Sequence, residues 1–318
     1  MFKGRRVFVV VPAWNEERLI VRVLDTMPEI VDRVIVVDDA STDRTVEVVA
    51  EAMARMGGRV RVVRRSSNGG VGAAIVAGYK AALDEAQPDD LVVVMAGDAQ
   101  MDPGDLPRLL APLAAGQAEY SKGNRLFTGE AWKIIPRHRY LGNAALSLLT
   151  KIASGYWHVA DSQSGYTAIT AEALKVLQLD RLYKRYGFPN HLLVELNNYD
   201  FRVRDVPIRP VYNIGEVSGI RLPRVIPTLA WLLVKCYFWR MKEKYIIRDF
   251  HPLIFFLVMG LLLTGGGLLL GGYIVFLRLH SGQLSPNAAI FDVFCLIMGM
   301  QMLCFAMWMD MEHNKGLK

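Results

Sequence analysis

Arg33-Val-Ile-Val-Val-Asp-Asp-Ala-Ser-Thr-Asp43 runs from a β-branched apolar stretch straight into three carboxylates. A continuous apolar run of this length suits a parallel strand buried on both faces, since an alternating pattern would mark a strand with one wet face. The acids that follow mark the end of that strand as a polar edge. The same design recurs on either side of it. Residues 7–11, 33–37, 60–63 and 91–95 are short, mostly apolar runs, and segments 16–27, 43–56, 72–85 and 103–113 between and after them have helical periodicity. Asp43 and Asp102 suit helix caps. Strand–helix repeats joined by right-handed crossovers give an open, doubly wound α/β sheet.

In such a sheet, ligands sit beyond the carboxyl ends of the strands. Those ends carry Pro12-Ala-Trp-Asn-Glu-Glu17, Asp38-Asp-Ala-Ser-Thr-Asp43, Asn68-Gly-Gly-Val-Gly72 and Gly97-Asp-Ala-Gln100. Four polar clusters are therefore expected on one edge. Asp38 and Asp39 can accept hydrogen bonds from a base N–H or from ribose hydroxyls. Asp98 and Gln100 offer the oxygen ligands that Mg2+ or Mn2+ prefers, although Asp98 alone could equally be a turn residue. The run Gly70-Val-Gly72 lacks the third glycine of a dinucleotide fingerprint and follows the third strand rather than the first, which argues against a dehydrogenase. Its glycines are expected to let the chain turn tightly into a helix.

Composition narrows the class further. The chain has 318 residues, with 37 Lys and Arg against 31 Asp and Glu, a formal charge of +6 that is too mild for a dedicated nucleic-acid binder. Cys236, Cys295 and Cys304 form no spaced pair, so neither a disulfide framework nor a zinc site is expected. The first six residues are short and polar, so no signal peptide is expected. Residues 252–277 contain no charged side chain, and 288–309 contain only Asp292. As a helix the first run is about 39 Å long, enough to cross a hydrocarbon core of roughly 30 Å. Lys235, Arg240, Lys242, Lys244 and Arg248 precede the first run, whereas the connector carries only Arg278. That asymmetry predicts a cytoplasmic N-terminal domain. Trp231, Tyr237 and Trp239 among these basic residues suit a helix lying in the membrane interface, with a plain core helix as the alternative.

Together these motifs make the sequence resemble glycosyltransferase family 2, and within it the polyprenyl-phosphate transferases like dolichyl-phosphate mannose synthase. The resemblance covers about residues 7–216 and also rests on Gly123-Asn-Arg125 and Asp161-Ser-Gln-Ser-Gly-Tyr166. It implies a GT-A (Rossmann-like) domain with a mostly parallel sheet over 1–222, a juxtamembrane amphipathic helix over 223–250, and a transmembrane hairpin over 251–318. It further implies an inverting, Mg2+- or Mn2+-dependent hexosyl transfer from a nucleotide sugar, of the GDP-mannose or UDP-glucose type, to a polyprenyl phosphate.

By the same resemblance, Pro12, Ala13, Trp14, Asn15, Glu16, Asp38, Asp39, Asn68, Gly72 and Gly97 are expected around the nucleotide, and Asp98 and Gln100 at the metal. Arg125, Arg139 and Asn143 are expected at the acceptor phosphate. Asp161 is expected beside the sugar, holding donor hydroxyls or assisting the acceptor; Asp98, Arg125, Arg139 and Asp161 form the catalytic set. The chain departs from the family pattern at Ala96, where the first metal-motif aspartate is usual, and at Val71, which replaces a frequent lysine. Arg209, Arg221 and Arg224 are weaker candidates for charge over the diphosphate. A homo-oligomer formed through the membrane helices is left open. Two rival readings remain: a processive polysaccharide synthase, opposed by the missing Gln-x-x-Arg-Trp signature and by too few spans, and a non-catalytic membrane scaffold, which Ala96 would suit.

Overall fold

The computed structural model describes residues 1–127, 137–209, 211, 222–282 and 285–318. The chain divides into two compact units, Met1–Tyr237 with Leu317–Lys318, and Phe238–Gly316.

The first unit is built on a seven-stranded sheet in the order β3-β2-β1-β4-β6-β5-β7. The strands are β1 (Val7–Ala13), β2 (Arg33–Asp38), β3 (Val60–Arg64), β4 (Leu91–Val94), β5 (Tyr120–Asn124), β6 (Thr167–Thr170) and β7 (Val203–Pro207). Strands β1 to β4 are parallel to one another. Strand β6 alone runs antiparallel, to both β4 and β5, while β5 and β7 are parallel. The expected α/β sheet is thus present, extended by three strands that the sequence reading did not identify. Because β6 is reversed, it begins at the edge where the other six strands end.

Alternation of side chains along each strand sends them to opposite faces. Phe8, Val10, Ile35, Val37, Val92 and Val94 pack under α3 (Val71–Leu83), α6 (Ala171–Val176) and α7 (Phe188–Asn198). Val7, Val9, Val11, Val34, Val36 and Val93 pack under α1 (Ile20–Asp25), α2 (Thr45–Arg55) and α4 (Leu106–Ala114). Helix α5 (Arg137–Ser154) lies between β5 and β6 in the chain, and α8 (Leu222–Lys242) follows β7. Leu229, Leu233 and Cys236 of α8 are buried, and Gly187 allows Leu229 and Leu232 to approach the turn before α7. The opposite side of α8 exposes Trp231, Val234 and Phe238, with the Lys235 ammonium 5.3 Å from the Trp231 ring centre. The first compact unit therefore extends through Tyr237, inside the segment 223–250 assigned to the juxtamembrane helix.

In the second unit, a π-helical segment (Glu243–Arg248) leads into α9 (Leu253–Ser281) and α10 (Pro286–His313). The apolar stretches Leu253–His280 and Pro286–His313, 28 residues each, are long and apolar enough to cross a membrane. The two helices pack closely where side chains are small. Gly260 faces Leu303, Gly267 faces Leu296, Gly271 faces Asp292, and Gly299 faces Thr264. Small residues at such spacing let two helix backbones approach, which is how helices associate in lipid. Asp292 is 9% exposed, and its Oδ1 has no hydrogen-bond partner among the described residues.

Arg240 and Lys244, two of the basic residues that precede the first apolar run, are buried. Arg240 pairs with Asp310, and the Lys244 ammonium donates to Asn314 Oδ1 at 2.9 Å.

Candidate active site

The register of the sheet assembles the site. Ala13 pairs with Asp38, and Asp38 with Arg64, so the ends of β1, β2 and β3 lie level. Asp39 N donates to Ala13 O at 2.9 Å and Gly97 N to Pro12 O at 3.1 Å, joining the loops after β2 and β4 to the end of β1. Asn15 (φ 57°), Ala40 (φ 60°) and Ala99 (φ 55°) are left-handed in the loops that leave β1, β2 and β4. That conformation costs roughly 1–2 kcal/mol for a non-glycine residue, so the edge stores strain.

Interlocking hydrogen bonds hold these loops. Asn15 N donates to Ser41 Oγ at 3.0 Å, while Asn15 Oδ1 accepts from Thr42 N at 2.8 Å. Glu16 N donates to Thr45 Oγ1 at 2.8 Å, and Glu17 N to Asp43 Oδ2 at 3.2 Å. The motif starting at Pro12 and the motif starting at Asp38 are therefore one interlocked surface. Pro12 and Ala13 are buried beneath it, and Trp14 stands 53% exposed at its rim.

Asp38 and Asp39 are both buried but differ in use. Asp38 Oδ1 accepts from Ser41 N at 3.1 Å. The Asp39 carboxylate accepts from Gly69 N at 3.1 Å and Gly70 N at 2.8 Å, and it pairs with Arg65. Asp39 thus shapes the glycine loop. That loop is glycine-rich for a reason the sequence did not disclose. A Cβ on Gly72 would lie 2.4 Å from Tyr183 O, and one on Gly70 would lie 2.9 Å from Lys184 O. Ala73 N donates to Lys184 O at 3.0 Å, so the glycines admit the Tyr183–Lys184 backbone against the start of α3. Asn68 is exposed in the same loop.

The loop after β4 turns on itself. Gln100 N donates to Asp98 Oδ1 at 3.1 Å, and the Ala96 amide to the Met101 sulfur at 3.2 Å. Asp98 and Gln100 are half-buried. Burial, followed by the charges of Asp98 and Asp43, pushes the Glu16 carboxyl up to about 7. Glu16 and Asp98 therefore share a patch with excess negative charge, a coupling that neither motif reveals by itself. The donor set of Asp98, Gln100 and Glu16 is all oxygen, which fits a hard divalent cation. No group of three His, Cys, Asp or Glu side chains among the described residues is arranged to hold a metal.

The other half of the edge pairs cations with carboxylates. Asp161 precedes the reversed strand β6 and Arg125 follows β5, so the topology brings them together across 36 positions. Arg125 Nε donates to Asp161 Oδ2 at 2.7 Å, its Nη2 to Oδ1 at 3.1 Å, and its amide to Oδ2 at 3.2 Å. Burial favours the neutral acid, but the Arg125 guanidinium and Lys122 hold Asp161 below the usual carboxylate range. Lys122 of β5 is fully buried, its ammonium donating to Ser164 O, and burial lowers it to about 8. Sequence reasoning missed Lys122 and Asp205; the only available signal was a charge inside each short strand. The side chains of Arg139 and Asn143 lie outside the described residues, as do those of Arg221 and Arg224. Arg209 is exposed, with its amide donating to Asp105 Oδ2 at 2.8 Å.

Comparison with known proteins fits this arrangement. The family model described as glycosyl transferase family 2 matches residues 8–177. The chain belongs to glycosyl transferase family 2. It is accordingly a glycosyltransferase.

Among its relatives is the UDP-N-acetylglucosamine–dolichyl-phosphate N-acetylglucosaminyltransferase of Methanococcus voltae, 30% identical over 218 residues, 65% of this chain and 86% of that protein. Another is the undecaprenyl-phosphate mannosyltransferase of Micrococcus luteus, 33% identical over 235 residues, 71% of this chain and 93% of that protein. Among solved structures, glucosyl-3-phosphoglycerate synthase from Mycobacterium tuberculosis superposes with a TM-score of 0.54 at 24% identity, covering 74% of this chain and 80% of that one. That likeness shows the shared fold.

Proposed function

We propose that this glycosyltransferase moves a hexose from a nucleotide-diphosphate sugar to a polyprenyl phosphate, with inversion, at the cytoplasmic face of a membrane. One observation carries the reading: a carboxylate-rich half, Glu16 and Asp98, and an arginine–carboxylate half, Arg125 and Asp161, lie along the same sheet edge. The first suits a donor whose diphosphate is accompanied by a cation, and the second an anionic acceptor.

On this reading the residues divide the work simply. Trp14, Asn15, Glu16 and Asp38, over the buried Pro12 and Ala13 and beside Asn68, Gly72 and Gly97, take the base and ribose, and Asp39 holds the glycine loop in shape. Asp98 and Gln100 would hold Mg2+ or Mn2+, which, when bound, neutralises charge on the departing diphosphate. Arg125, with Arg139 and Asn143 beyond it, receives the acceptor phosphate, since a guanidinium matches phosphate oxygens bidentately. A phosphate oxygen is already anionic near pH 7, so the nucleophile needs orientation more than deprotonation. The Arg125–Asp161 pair then exchanges partners when phosphate arrives, which leaves Asp161 to accept from sugar hydroxyls. In-line attack opposite the nucleotide gives inversion.

The membrane assignment rests on the two apolar helices, on the aromatic and basic face of α8, and on relatives named for lipid-phosphate acceptors. GDP-mannose and UDP-glucose are the proposed donor types. The Methanococcus voltae relative favours UDP-N-acetylglucosamine as a second reading.

The experiment is turnover of the detergent-purified protein with a panel of nucleotide sugars, a polyprenyl phosphate, and Mg2+ or Mn2+. Release of nucleoside diphosphate coupled to a lipid-linked monophosphosugar is the expected result. Absence of turnover with every donor would favour the scaffold reading, and extension to a polymer would favour the processive synthase.

A further inference from the structure

Strand β7 contributes no residue to the edge described above, yet one of its side chains lies beneath both members of the acceptor-side pair. Asp205 pairs with Lys122 in the β5–β7 register, and its side chain is half-buried. Asp205 Oδ2 accepts from Asn124 Nδ2 at 2.6 Å and from Ala160 N at 3.1 Å. Asn124 immediately precedes Arg125, and Ala160 immediately precedes Asp161. Asn124 in turn accepts from Leu126 N at 2.8 Å through Oδ1, so the backbone is held on both sides of Arg125.

We propose that Asp205 is a positioning residue for acceptor binding: one carboxylate oxygen sets the separation of Arg125 and Asp161 by tethering the residue before each. The inference rests on reading Arg125 and Asp161 as acceptor-side contacts. Packing alone does not account for an acid at this position, because its neighbours Val203, Val206 and Ile208 are buried apolar residues. Asp205 Oδ1 is buried with no hydrogen-bond partner among the described residues, an arrangement that normally lowers stability. Burial pushes this carboxyl up to about 6, so the fold also tolerates an unfavourable ionisation here. What the site gains is a shared anchor. The segments bearing Arg125 and Asp161 come from distant parts of the chain, and Asp205 Oδ2 bonds to both. Lys122 reinforces the anchor by donating from β5 to Ser164 O, three residues beyond Asp161. The hydrogen bonds of Asp205 go to Asn124 and Ala160, and its influence on Arg125 and Asp161 passes through them.

The test is a comparison of acceptor and donor KM in the full-length protein in detergent, for Asp205→Ala, Asp205→Asn, Asn124→Ala and Arg125→Ala. Misplacing a binding group by a fraction of an ångström to 1 Å weakens productive binding substantially. Asp205→Ala and Asn124→Ala should therefore raise the acceptor KM about tenfold or more while the donor KM stays within about twofold. Asp205→Asn, which keeps an oxygen for both donors, should recover most of the loss. An unchanged acceptor KM in Asp205→Ala, with a raised one in Arg125→Ala, would overturn the positioning role and leave the acceptor reading standing. Parallel increases in donor and acceptor KM would also overturn it, since they mark general loosening. An unchanged acceptor KM in Arg125→Ala would remove the acceptor reading itself, and this inference with it. If Asp205→Ala gives no folded protein by thermal shift, Asn124→Ala decides alone by the same criteria.

Discussion

Arg240, near the end of α8, and Asp310, in the last turn of α10, are buried against each other through hydrogen bonds of 2.6 and 3.0 Å. The pair is the centre of a larger cluster. Tyr245 donates to Asp310 Oδ1 at 2.6 Å, and Asn314 Nδ2 donates to the same oxygen at 3.0 Å. The rings of Tyr245, His251 and His313 pack around it at centroid separations of 5.2–5.5 Å. Satisfied networks of this kind fix one arrangement of helices, because every member has a committed partner.

Removing one charge from that pair leaves the other buried and uncompensated, which typically costs about 3–5 kcal/mol. Asp310→Ala should therefore lower the melting temperature in detergent sharply, whereas Tyr245→Phe should cost only about 1 kcal/mol. The double variant Arg240→Met/Asp310→Leu should be more stable than Asp310→Ala. Equal melting temperatures for Asp310→Ala and the parent protein would show that the network contributes nothing to stability.

Much of the first unit was legible because its signals are local. Strands β1, β2 and β4 are near-continuous apolar runs, β3 is broken internally only by Arg61, and each is followed by a polar motif. Strands β5 and β7 were missed because Tyr120-Ser-Lys-Gly-Asn124 and Val203-Arg-Asp-Val-Pro207 interrupt the apolar pattern with polar and charged residues, and β6, Thr167-Ala-Ile-Thr170, is only four residues long. Arg125 and Asp161 could each be named from a motif, but their pairing depends on the reversal of β6, which no local pattern announces. The partner of Arg240 was equally illegible, because Asp310 lies 70 positions away.

Asp98→Asn should abolish most transfer while leaving the fold intact, since Asp98 is half-buried at the end of a loop and belongs to neither core. The same substitution removes a like charge beside Glu16, so the Glu16 carboxyl should become more acidic, as measured by carbon-detected NMR titration. Chelation of divalent cations in the parent protein should mimic the loss of activity and be reversed by Mn2+ or Mg2+. Turnover close to that of the parent in Asp98→Asn would remove Asp98 from the metal site.

The pH dependence of stability should carry the mark of Asp205. A carboxyl raised from 3.8 to about 6 in the fold contributes stability that is complete below about pH 4 and is lost as pH rises through about 6. Asp205→Asn lacks that titration. The melting temperature of Asp205→Asn minus that of the parent should therefore increase from pH 4 to about 6 and level off above pH 7. The two-unit shift sets a ceiling of roughly 3 kcal/mol on the effect. A difference that is flat across this range would show that Asp205 titrates as an ordinary surface acid.

Gly78 marks the closest approach of α3 to the sheet. A Cβ there would lie 2.2 Å from Val10 Cγ1 and 3.1 Å from Val37 Cγ2. Alanine would otherwise favour a helix by about 0.5–1 kcal/mol over glycine. Overpacking should win, so Gly78→Ala should destabilise the first unit by about 1–3 kcal/mol. Gly78→Ala combined with Val10→Ala should be less destabilised than the sum of the two single changes, because the shortened Val10 makes room for the new methyl group. Additive losses would show that the helix moves instead.

The boundary between the compact units predicts where the chain can be cut. A protein ending near residue 250 would keep Arg240, Lys244 and Tyr245 but lose Asp310 and Asn314, which satisfy them. Ending at Tyr237 removes the whole polar cluster while keeping Leu229, Leu233 and Cys236, the buried face of α8. The shorter protein should therefore be the better behaved, with a sharper thermal transition and less aggregation than the one ending at residue 250. It should still bind nucleotide sugar, seen as a ligand-dependent rise in melting temperature. Transfer to a short, water-soluble prenyl phosphate should survive, while transfer to a long-chain acceptor in bilayers should slow at least tenfold, by loss of membrane concentration. Equal rates with both acceptors would reduce the hairpin to a part with no role in acceptor access.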